Sequence, residues 1–361
     1  MNAYITAACR SAVMPRDGGF AALSIEELAA PVIQSVIARA GVDPCQVDEL
    51  ILSNALGAGG NPARRAALAA GLPQCVAGLS IDRQCAGGLD AILLARAMVS
   101  SGAARVVVAG GVESYSRRPM RLRTFADGRA PEPYAQAPFT PWPDRDPDMA
   151  EAAEALAQAQ GISRSAQDDW AIASHAKAMA AERQEGEVIP LAGQSRDAFA
   201  RRLTAQTARR AKPIVGSITA ANTAVAADAA AFVVVTADAH PDGLRMIGGA
   251  TRGADPLQPG LAPLVAMEDV LDAAGLRAGD LTVAEVMEAY AVQAIACVRG
   301  ARLDPARVNL GGGALARGHP IGASGAINTV RLFHELRRRG GTGLATIASA
   351  GGIGSALLLG A

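Results

Sequence analysis

The sequence predicts an α/β protein made of two similar halves. Short β-rich apolar runs alternate with helical patterns and glycines along the 361 residues. Two stretches, residues 85–111 and 319–352, each pass from small residues through an apolar helix into a strand that ends in Ala-Gly-Gly. Alternating strands and helices are typical of α/β folds, and a repeated unit indicates duplication. We therefore expect two halves of the same design.

The first clearly bounded helix covers residues 61–71. Asn61 is a favourable N-cap, Pro62 suits the first helical position, and Gly71 suits the end. A second helical pattern covers residues 89–100, where apolar residues recur at helical spacing. Both segments are predicted helices.

Two apolar runs, residues 105–109 and 345–348, have the length and composition of buried strands. Between them, residues 117–147 are rich in Pro and Arg with little periodicity, and residues 149–185 are rich in Ala and helical in pattern. This region interrupts the first half. We interpret it as an insertion that covers the substrate.

The composition describes a compact globular protein. Half of the residues are hydrophobic and 19% are charged, with 34 basic and 34 acidic side chains. Such a balance provides no net field to attract nucleic acid or a membrane surface. Residues 1–13 lack a basic segment followed by an apolar run, so we expect a cytoplasmic protein.

The cysteines indicate reduced thiols. They are odd in number, widely spaced and without a CxxC pair, which argues against a disulfide framework and against a zinc site. We expect no metal. The cysteines are Cys9, Cys45, Cys75, Cys85 and Cys297.

Cys85 is the candidate nucleophile. It precedes the predicted helix 89–100, and the small residues Ala86, Gly87 and Gly88 leave room for an acyl group beside exposed backbone N–H groups. A helix N-terminus and a close histidine both lower the pKa of a thiol. We therefore expect a lowered pKa at Cys85. A buried, inert cysteine is the alternative, and the flanking small residues disfavour it.

His319 is the candidate partner of Cys85. It lies between Gly318 and Pro320, and Gly322 follows, so the backbone takes a tight path around it. Its expected role is to ionise Cys85 and to donate a hydrogen bond to the carbonyl oxygen of the acyl group. The other histidines lack such settings and are predicted surface or helix residues: His175, His240 and His334.

Over essentially its whole length the chain resembles the thiolase family of acyl-CoA acyltransferases. The resemblance implies a five-layered αβαβα fold, in which two similar halves bury a shared helical layer and a loop domain covers coenzyme A. It rests on segments 61–64, 83–86, 109–114, 309–313 and 318–325, taken in order.

The same resemblance implies an organisation and a set of ligands. Residues 1–117 and 214–243 would form the N-terminal half, residues 118–213 the loop domain, and residues 244–361 the C-terminal half. Acyl-CoA and coenzyme A would be substrates and no cofactor is implied. The expected assembly is a homodimer or homotetramer, with no nucleic-acid or membrane partner.

In this family a cysteine takes an acyl group from a thioester, and a second cysteine shuttles a proton. Cys85 and His319 match the catalytic positions. The resemblance places Gly352, Met287 and Glu288 in or behind the oxyanion-binding region. Glu288 has two interpretations, as a residue that positions the His319 loop or as a structural carboxylate that caps nearby backbone. The resemblance assigns contacts with the substrate to Ala224, Asn222 and Met149. Asn222 has a second interpretation, as a turn-forming residue.

The chain departs from the family's pattern at several of these positions. Ala348 stands where the second cysteine is expected, Met287 replaces an asparagine that holds an oxyanion water, and Ala224 replaces a serine beside the pantetheine arm. Ser349 is too weakly acidic to substitute for a thiol, and Cys297 lies on an apolar helical stretch. The insertion is also short, which leaves the adenine and ribose contacts open.

Four arginines form a basic run in the insertion. They have two interpretations, as contacts with the phosphates of coenzyme A or as a solvated surface. The residues are Arg117, Arg118, Arg121 and Arg123.

The leading functional hypothesis is an acyltransferase that works through an acyl-Cys85 intermediate. Because Ala348 cannot exchange a proton, plain acyl transfer or decarboxylative condensation is favoured over reactions that remove an α-proton. The main alternative is a non-catalytic or weakly active coenzyme-A-binding subunit. Thioester hydrolysis is a third possibility.

Overall fold

A computed structural model describes residues 1–57, 59–181 and 185–361. Residues 182–184 of the predicted loop domain and of the helical region 149–185 lie outside the described residues. The strands are Tyr4–Arg10 (β1), Met14–Pro15 (β2), Glu49–Ser53 (β3), Leu79–Ile81 (β4), Val106–Glu113 (β5), Arg121–Arg123 (β6), Glu132–Tyr134 (β7), Pro213–Val215 (β8), Ile218–Thr219 (β9), Ala227–Thr236 (β10), Leu244–Gly253 (β11), Val283–Val286 (β12), Thr342–Ser349 (β13) and Ile353–Gly360 (β14).

The α-helices are Ile25–Ala40 (α1), Pro62–Ala69 (α2), Gly87–Ser101 (α3), Met149–Ala159 (α4), Arg164–Ala180 (α5), Ala205–Arg209 (α6), Ala262–Ala274 (α7), Ala291–Gly300 (α8), Ala314–Arg317 (α9) and Ile321–Arg339 (α10). Within the described residues, none of them is long and apolar enough to cross a membrane.

The elements predicted from local sequence are confirmed. The first helix is α2, where the Asn61 side chain accepts the backbone N–H of Arg64 as an N-cap. The second predicted helix is α3, and the two apolar runs form β5 and β13. The Ala-rich part of the insertion forms two helices, α4 and α5.

The sheet shows the predicted duplication. Its strand order is β12-β13-β14-β11-β1-β10-β5-β3-β4, with β2 paired to β10. In the first half β3 runs parallel to β5 and β5 is antiparallel to β10; in the second, β12 runs parallel to β13 and β13 is antiparallel to β14. The halves join where β1 pairs with β11, through Tyr4 with Arg245 and Ile5 with Leu244.

The molecule has five layers. The strands of each half form one β layer, and helices lie between the two β layers and on their outer faces. Helices α3 and α10 pack on each other and against strands of both halves, so they form the central layer. Helices α1 and α2 cover the outer face of the first half, and α7 and α8 cover that of the second. The predicted five-layered αβαβα fold is therefore observed. The proposed domain boundaries stay predictions.

Glycines allow the two central helices to approach closely. A Cβ on Gly88 would lie 2.8 Å from the backbone nitrogen of Ala326, and a Cβ on Gly325 would lie 2.6 Å from that of Leu89. Both distances are shorter than carbon and nitrogen atoms tolerate. Since Gly88 lies in the first turn of α3 and Gly325 in the second turn of α10, this contact brings the N-terminal parts of the two helices together.

The insertion is attached to the halves by buried ion pairs. Glu187 pairs with Arg10 of β1 at 2.8 Å and also with Arg331 of α10, and all three side chains are buried. Helices α4 and α5 pack against α8. These contacts hold the insertion against the side of the molecule where α3 and α10 begin.

Candidate active site

The structure brings Cys85 and His319 together. Cys85 lies in the 3-10 turn Gln84–Ala86, which leads directly into α3. Its Sγ is 3.2 Å from Nε2 of His319, although the two residues are 234 positions apart. The pair is positioned by the close contact between α3 and α10.

The loop before α10 holds His319 in one orientation. The His319 N–H donates to the carbonyl of Val225 at 2.7 Å. Gly318 has φ 114°, and a Cβ there would lie 2.8 Å from the Cβ of Ala227. Glycine is therefore required at position 318.

A serine hydroxyl determines which ring nitrogen of His319 carries the proton. The Ser324 Oγ donates to the carbonyl of Pro320 at 3.0 Å and lies 2.6 Å from Nδ1 of His319. Because a hydroxyl has one proton, Ser324 accepts from Nδ1–H. The lone pair of Nε2 then faces the Cys85 thiol, which is the arrangement that a general base requires.

Both groups are neutral in the free protein. Burial raises the pKa of Cys85 to about 12, although the backbone N–H groups of Cys85 and Ala350 and the side chain of Ser349 act in the opposite direction. Burial likewise lowers the pKa of His319 to about 4. The expected lowered pKa of Cys85 is therefore wrong for this state, because desolvation outweighs the helix terminus and the neighbouring donors. The thiolate forms only as the proton moves to Nε2.

A cavity of about 430 Å³ opens onto this pair. Its walls are mainly apolar, with residues from the insertion, from α8 and from the end of β13. Met149, Ala224 and Ala348, all singled out from the sequence, line it together with Cys85 and His319. The cavity has the size and polarity of a small-molecule site.

Glu113 supports this cavity from behind, and the sequence analysis did not identify it. Its buried carboxylate accepts the side-chain N–H of Asn54 at 2.8 Å and the backbone N–H groups of Ala55, Leu56 and Gly322 at 3.0–3.3 Å. Burial raises its pKa to about 7. Glu113 lies within residues 109–114, one of the segments on which the family resemblance rests. The sequence therefore marked this region without identifying the residue.

Comparisons with known proteins identify the family. The family model for the thiolase N-terminal domain matches residues 3–239, and the model for the thiolase C-terminal domain matches residues 244–361. The chain belongs to the thiolase family. The resemblance drawn from the sequence motifs is confirmed.

Known thiolases match along the whole chain. A putative acetyl-CoA C-acetyltransferase of Bacillus subtilis is 40% identical, covering 99% of this chain and 99% of that protein. An acetyl-CoA acetyltransferase of Cupriavidus necator is 38% identical, covering 99% and 98%. Among solved structures, the acetyl-CoA acetyltransferase of Bacillus anthracis has a TM-score of 0.90 at 34% identity, covering 99% and 98%. A thiolase from Ascaris suum in complex with coenzyme A has a TM-score of 0.92 at 29% identity, covering 100% of both chains.

One residue assigned to this thiolase's oxyanion region, Gly352, lies elsewhere. Gly352 does not line the cavity; its carbonyl accepts the N–H of Ala254 at 2.6 Å. Ala350 lines the cavity instead, and its N–H faces the Cys85 sulfur. The conformation of the turn after β13 determines which backbone N–H points into the cavity. The sequence alone does not distinguish among the several small residues of this turn. Ala350 therefore replaces Gly352 as the candidate residue of the oxyanion-binding region.

Met287 and Glu288 lie behind the cavity wall. Met287 is buried in the central core, so no side-chain donor or acceptor is available at its position. Glu288 accepts hydrogen bonds from the side chains of Trp170, Ser174 and Asn309 at 2.7–3.0 Å and from the N–H of Leu315 at 3.3 Å. It thus fixes α9, the helix immediately before the His319 loop.

Asn222 does not reach the cavity. Its Oδ1 accepts the N–H of Thr219 at 2.8 Å, and its Nδ2 donates to Asp168 and to the carbonyl of Ser217, both at 3.1 Å. The side chain is buried with its hydrogen-bonding groups occupied. Its predicted role in substrate binding has no contact to support it, and the structure gives it a role in folding the turn before β10.

Cys297 and the four arginines of the insertion are the remaining candidates. Cys297 is buried in α8, where its Sγ donates to the carbonyl of Gly260 at 3.2 Å, as expected for a packing residue. Arg118 and Arg121 line the cavity, whereas Arg117 and Arg123 do not.

Tyr115 and Tyr290 also line the cavity and were not predicted. Tyr115 directly follows segment 109–114 and Tyr290 lies two residues after Glu288, so both are close to residues that the sequence analysis selected.

Proposed function

We propose that this thiolase is an acyl-CoA acyltransferase of the acetyl-CoA acetyltransferase type, which works through an acyl-Cys85 intermediate. The observation that carries the proposal is the 3.2 Å contact between Cys85 Sγ and His319 Nε2 at the wall of the cavity. The names of the Bacillus and Cupriavidus relatives support the reaction class. Coenzyme A bound in the Ascaris relative supports the ligand.

The first half-reaction follows from the geometry. The Cys85 proton moves to Nε2 of His319 while the sulfur attacks the thioester carbonyl carbon. The N–H groups of Cys85 and Ala350, which already face the sulfur, receive the negative charge on the carbonyl oxygen. When the carbon–sulfur bond to coenzyme A breaks, its thiolate takes the proton back from Nε2. Ser324 keeps the proton on Nδ1 throughout.

The second half-reaction lacks a proton-transferring side chain at position 348. Ala348 lines the cavity, and the hydroxyl of the neighbouring Ser349 donates to the carbonyl of Arg83 at 3.1 Å. Removal of an α-proton from acetyl-CoA therefore has no base at this wall. Two reactions of the acyl-Cys85 do not require removal of an α-proton. They are return of the acyl group to a thiol and condensation with a carbanion formed by decarboxylation. We propose that these are favoured.

A second candidate is a coenzyme-A-binding subunit with little activity of its own. The apolar side chains of Ala348 and Met287 favour it, because they remove a proton shuttle and a water-binding group from a fold that retains its cavity. In that case the chemistry belongs to a partner subunit. A homodimer or homotetramer and a cytoplasmic location stay predictions.

Mass spectrometry of the intact protein separates these candidates. Wild type, Cys85→Ser and Cys45→Ser are incubated with acetyl-, propionyl- and butyryl-CoA, then with coenzyme A or malonyl-CoA. Cys45 is exposed and lies outside the cavity lining, so its variant is the matched control. An adduct on wild type and Cys45→Ser, absent from Cys85→Ser, supports the proposal.

The fate of the adduct names the reaction. Loss to coenzyme A indicates plain transfer, loss to malonyl-CoA with release of carbon dioxide indicates decarboxylative condensation, and loss in buffer alone indicates hydrolysis. No adduct with any donor contradicts the proposal and supports the coenzyme-A-binding subunit.

A further inference from the structure

A second cavity, of about 540 Å³, adjoins the active-site cavity. The two share the wall formed by Leu56, Tyr115, Arg118, Arg121 and Ala135. A group bonded to Cys85 therefore lies in a cavity whose wall includes both arginines. This second cavity has no role in the mechanism described above.

The arginines at this wall have unused hydrogen-bond donors. Arg118 donates to the carbonyl of Tyr115 and Arg121 to that of Ala55, both at 2.7 Å. A guanidinium has five N–H groups, so among the described residues most of them have no protein acceptor. Within the described part of the chain, neither arginine forms an ion pair with a carboxylate.

The wall carries an excess of positive charge. The second cavity is lined by three arginines and one aspartate. The third arginine, Arg16, pairs with that aspartate, Asp17, at 3.2 Å. The charges of Arg118 and Arg121 are therefore uncompensated among the residues that line either cavity. Two adjacent guanidinium groups without a carboxylate are a favourable setting for an anion.

Tyr115 connects this wall to the nucleophile. The electrostatic neighbours of its hydroxyl include Cys85 and Arg118, and burial raises the pKa of the phenol, which keeps it protonated. Within the described residues its hydroxyl has no hydrogen-bond partner. A neutral donor thus lies near both the sulfur and Arg118, where it can contact an oxygen of a bound chain.

We propose that Arg118 and Arg121 bind a carboxylate at the far end of the acyl group, so that this thiolase accepts short acyl-CoA substrates derived from dicarboxylic acids. The inference rests on the proposed function, because it takes Cys85 as the site of the acyl group. An anion at the arginines has another source, the phosphates of coenzyme A. The experiment below distinguishes the two.

Binding is measured by calorimetry in the Cys85→Ala protein, which cannot be acylated. The probes are succinyl-CoA and butyryl-CoA, which have acyl chains of equal length, and the corresponding thioesters of pantetheine, which lack phosphates. The double variant Arg118→Gln/Arg121→Gln is compared with Arg123→Gln, which changes an arginine of the same segment outside both cavities.

The succinyl thioester is expected to bind roughly tenfold or more tightly than the butyryl thioester on both carriers, because two charged hydrogen-bond donors meet its carboxylate. The double variant loses this preference, and Arg123→Gln retains it. Equal binding of the two acyl groups by the parent protein overturns the inference. So does a double variant that weakens both CoA thioesters equally and neither pantetheine thioester, since the arginines would then bind phosphate.

Acylation of the wild-type protein is followed in parallel by mass spectrometry. An acetyl adduct without a succinyl preference contradicts the carboxylate site and leaves the proposed function standing. A succinyl preference in binding without any adduct supports the carboxylate site and contradicts the proposed function.

Discussion

The Glu113 carboxylate accepts the backbone N–H of Gly322 at 3.0 Å, which links the end of β5 to the first turn of α10, three residues after His319. The same carboxylate accepts the N–H groups of Ala55 and Leu56 beside the cavity. One buried side chain of the first half thus fixes a cavity wall and the position of a catalytic residue in the second half.

Glu113→Ala is expected to lower both stability and acylation. The substitution leaves four N–H donors without their acceptor, and each such loss costs about 1–3 kcal/mol before relaxation and water entry. We expect the free energy of unfolding to fall by about 3 kcal/mol, measured by urea denaturation. Glu268→Ala, at an exposed carboxylate of α7, is the control. A loss no greater than that of the control contradicts the structural role of Glu113.

Ser324→Ala tests the orientation of His319. Without the hydroxyl, Nδ1–H loses its acceptor and the ring is free to rotate or change tautomer, so the rate of Cys85 acylation should fall about tenfold or more. The control is Thr329→Val, because the Thr329 Oγ1 donates to the Gly325 carbonyl in the same helix and does not contact His319.

The two variants are compared by single-turnover acylation and by thermal unfolding. Similar unfolding temperatures with a rate loss confined to Ser324→Ala are the expected result. Equal loss of rate in both variants indicates a general effect on α10 and argues against a specific hold on the imidazole.

The thiol of Cys85 should react slowly with alkylating reagents at neutral pH. With its pKa raised to about 12, the thiolate fraction grows about tenfold for each pH unit below that value. Alkylation of Cys85 by iodoacetamide, followed by peptide mass spectrometry, should therefore accelerate from pH 7 to 10 without a plateau. A plateau below pH 7 would show a thiolate–imidazolium pair and contradict the neutral resting state.

Ala348→Cys should restore a proton-transferring group at the cavity wall. Ala348 already lines the cavity, so a thiol at this position faces the acyl-Cys85. A well-placed acid–base group contributes ~10²- to 10⁴-fold, and we expect condensation of two acetyl-CoA molecules to accelerate by about 10²-fold. Ala348→Ser, similar in size but far less acidic, should remain near wild type. No gain with cysteine indicates that another step or group limits the wild type.

Local sequence was sufficient for much of the fold because the relevant signals act over a few residues. The cap at Asn61 and the apolar runs of β5 and β13 are examples. The motifs around Cys85 and His319 predicted the nucleophile and its partner, and Ala348 and Met287 were identified as departures from the family's pattern. These inferences depend on residue type and order.

Tertiary structure decided the properties that depend on surroundings. Burial, which the whole chain creates, raises the pKa of Cys85 instead of lowering it. The turn after β13 places Ala350 at the sulfur, and local hydrogen bonds occupy Asn222. Residue type and order therefore determined which groups are available for chemistry. The packing of distant segments, α3 against α10 above all, determined which of them meet, in what protonation state, and beside which charges.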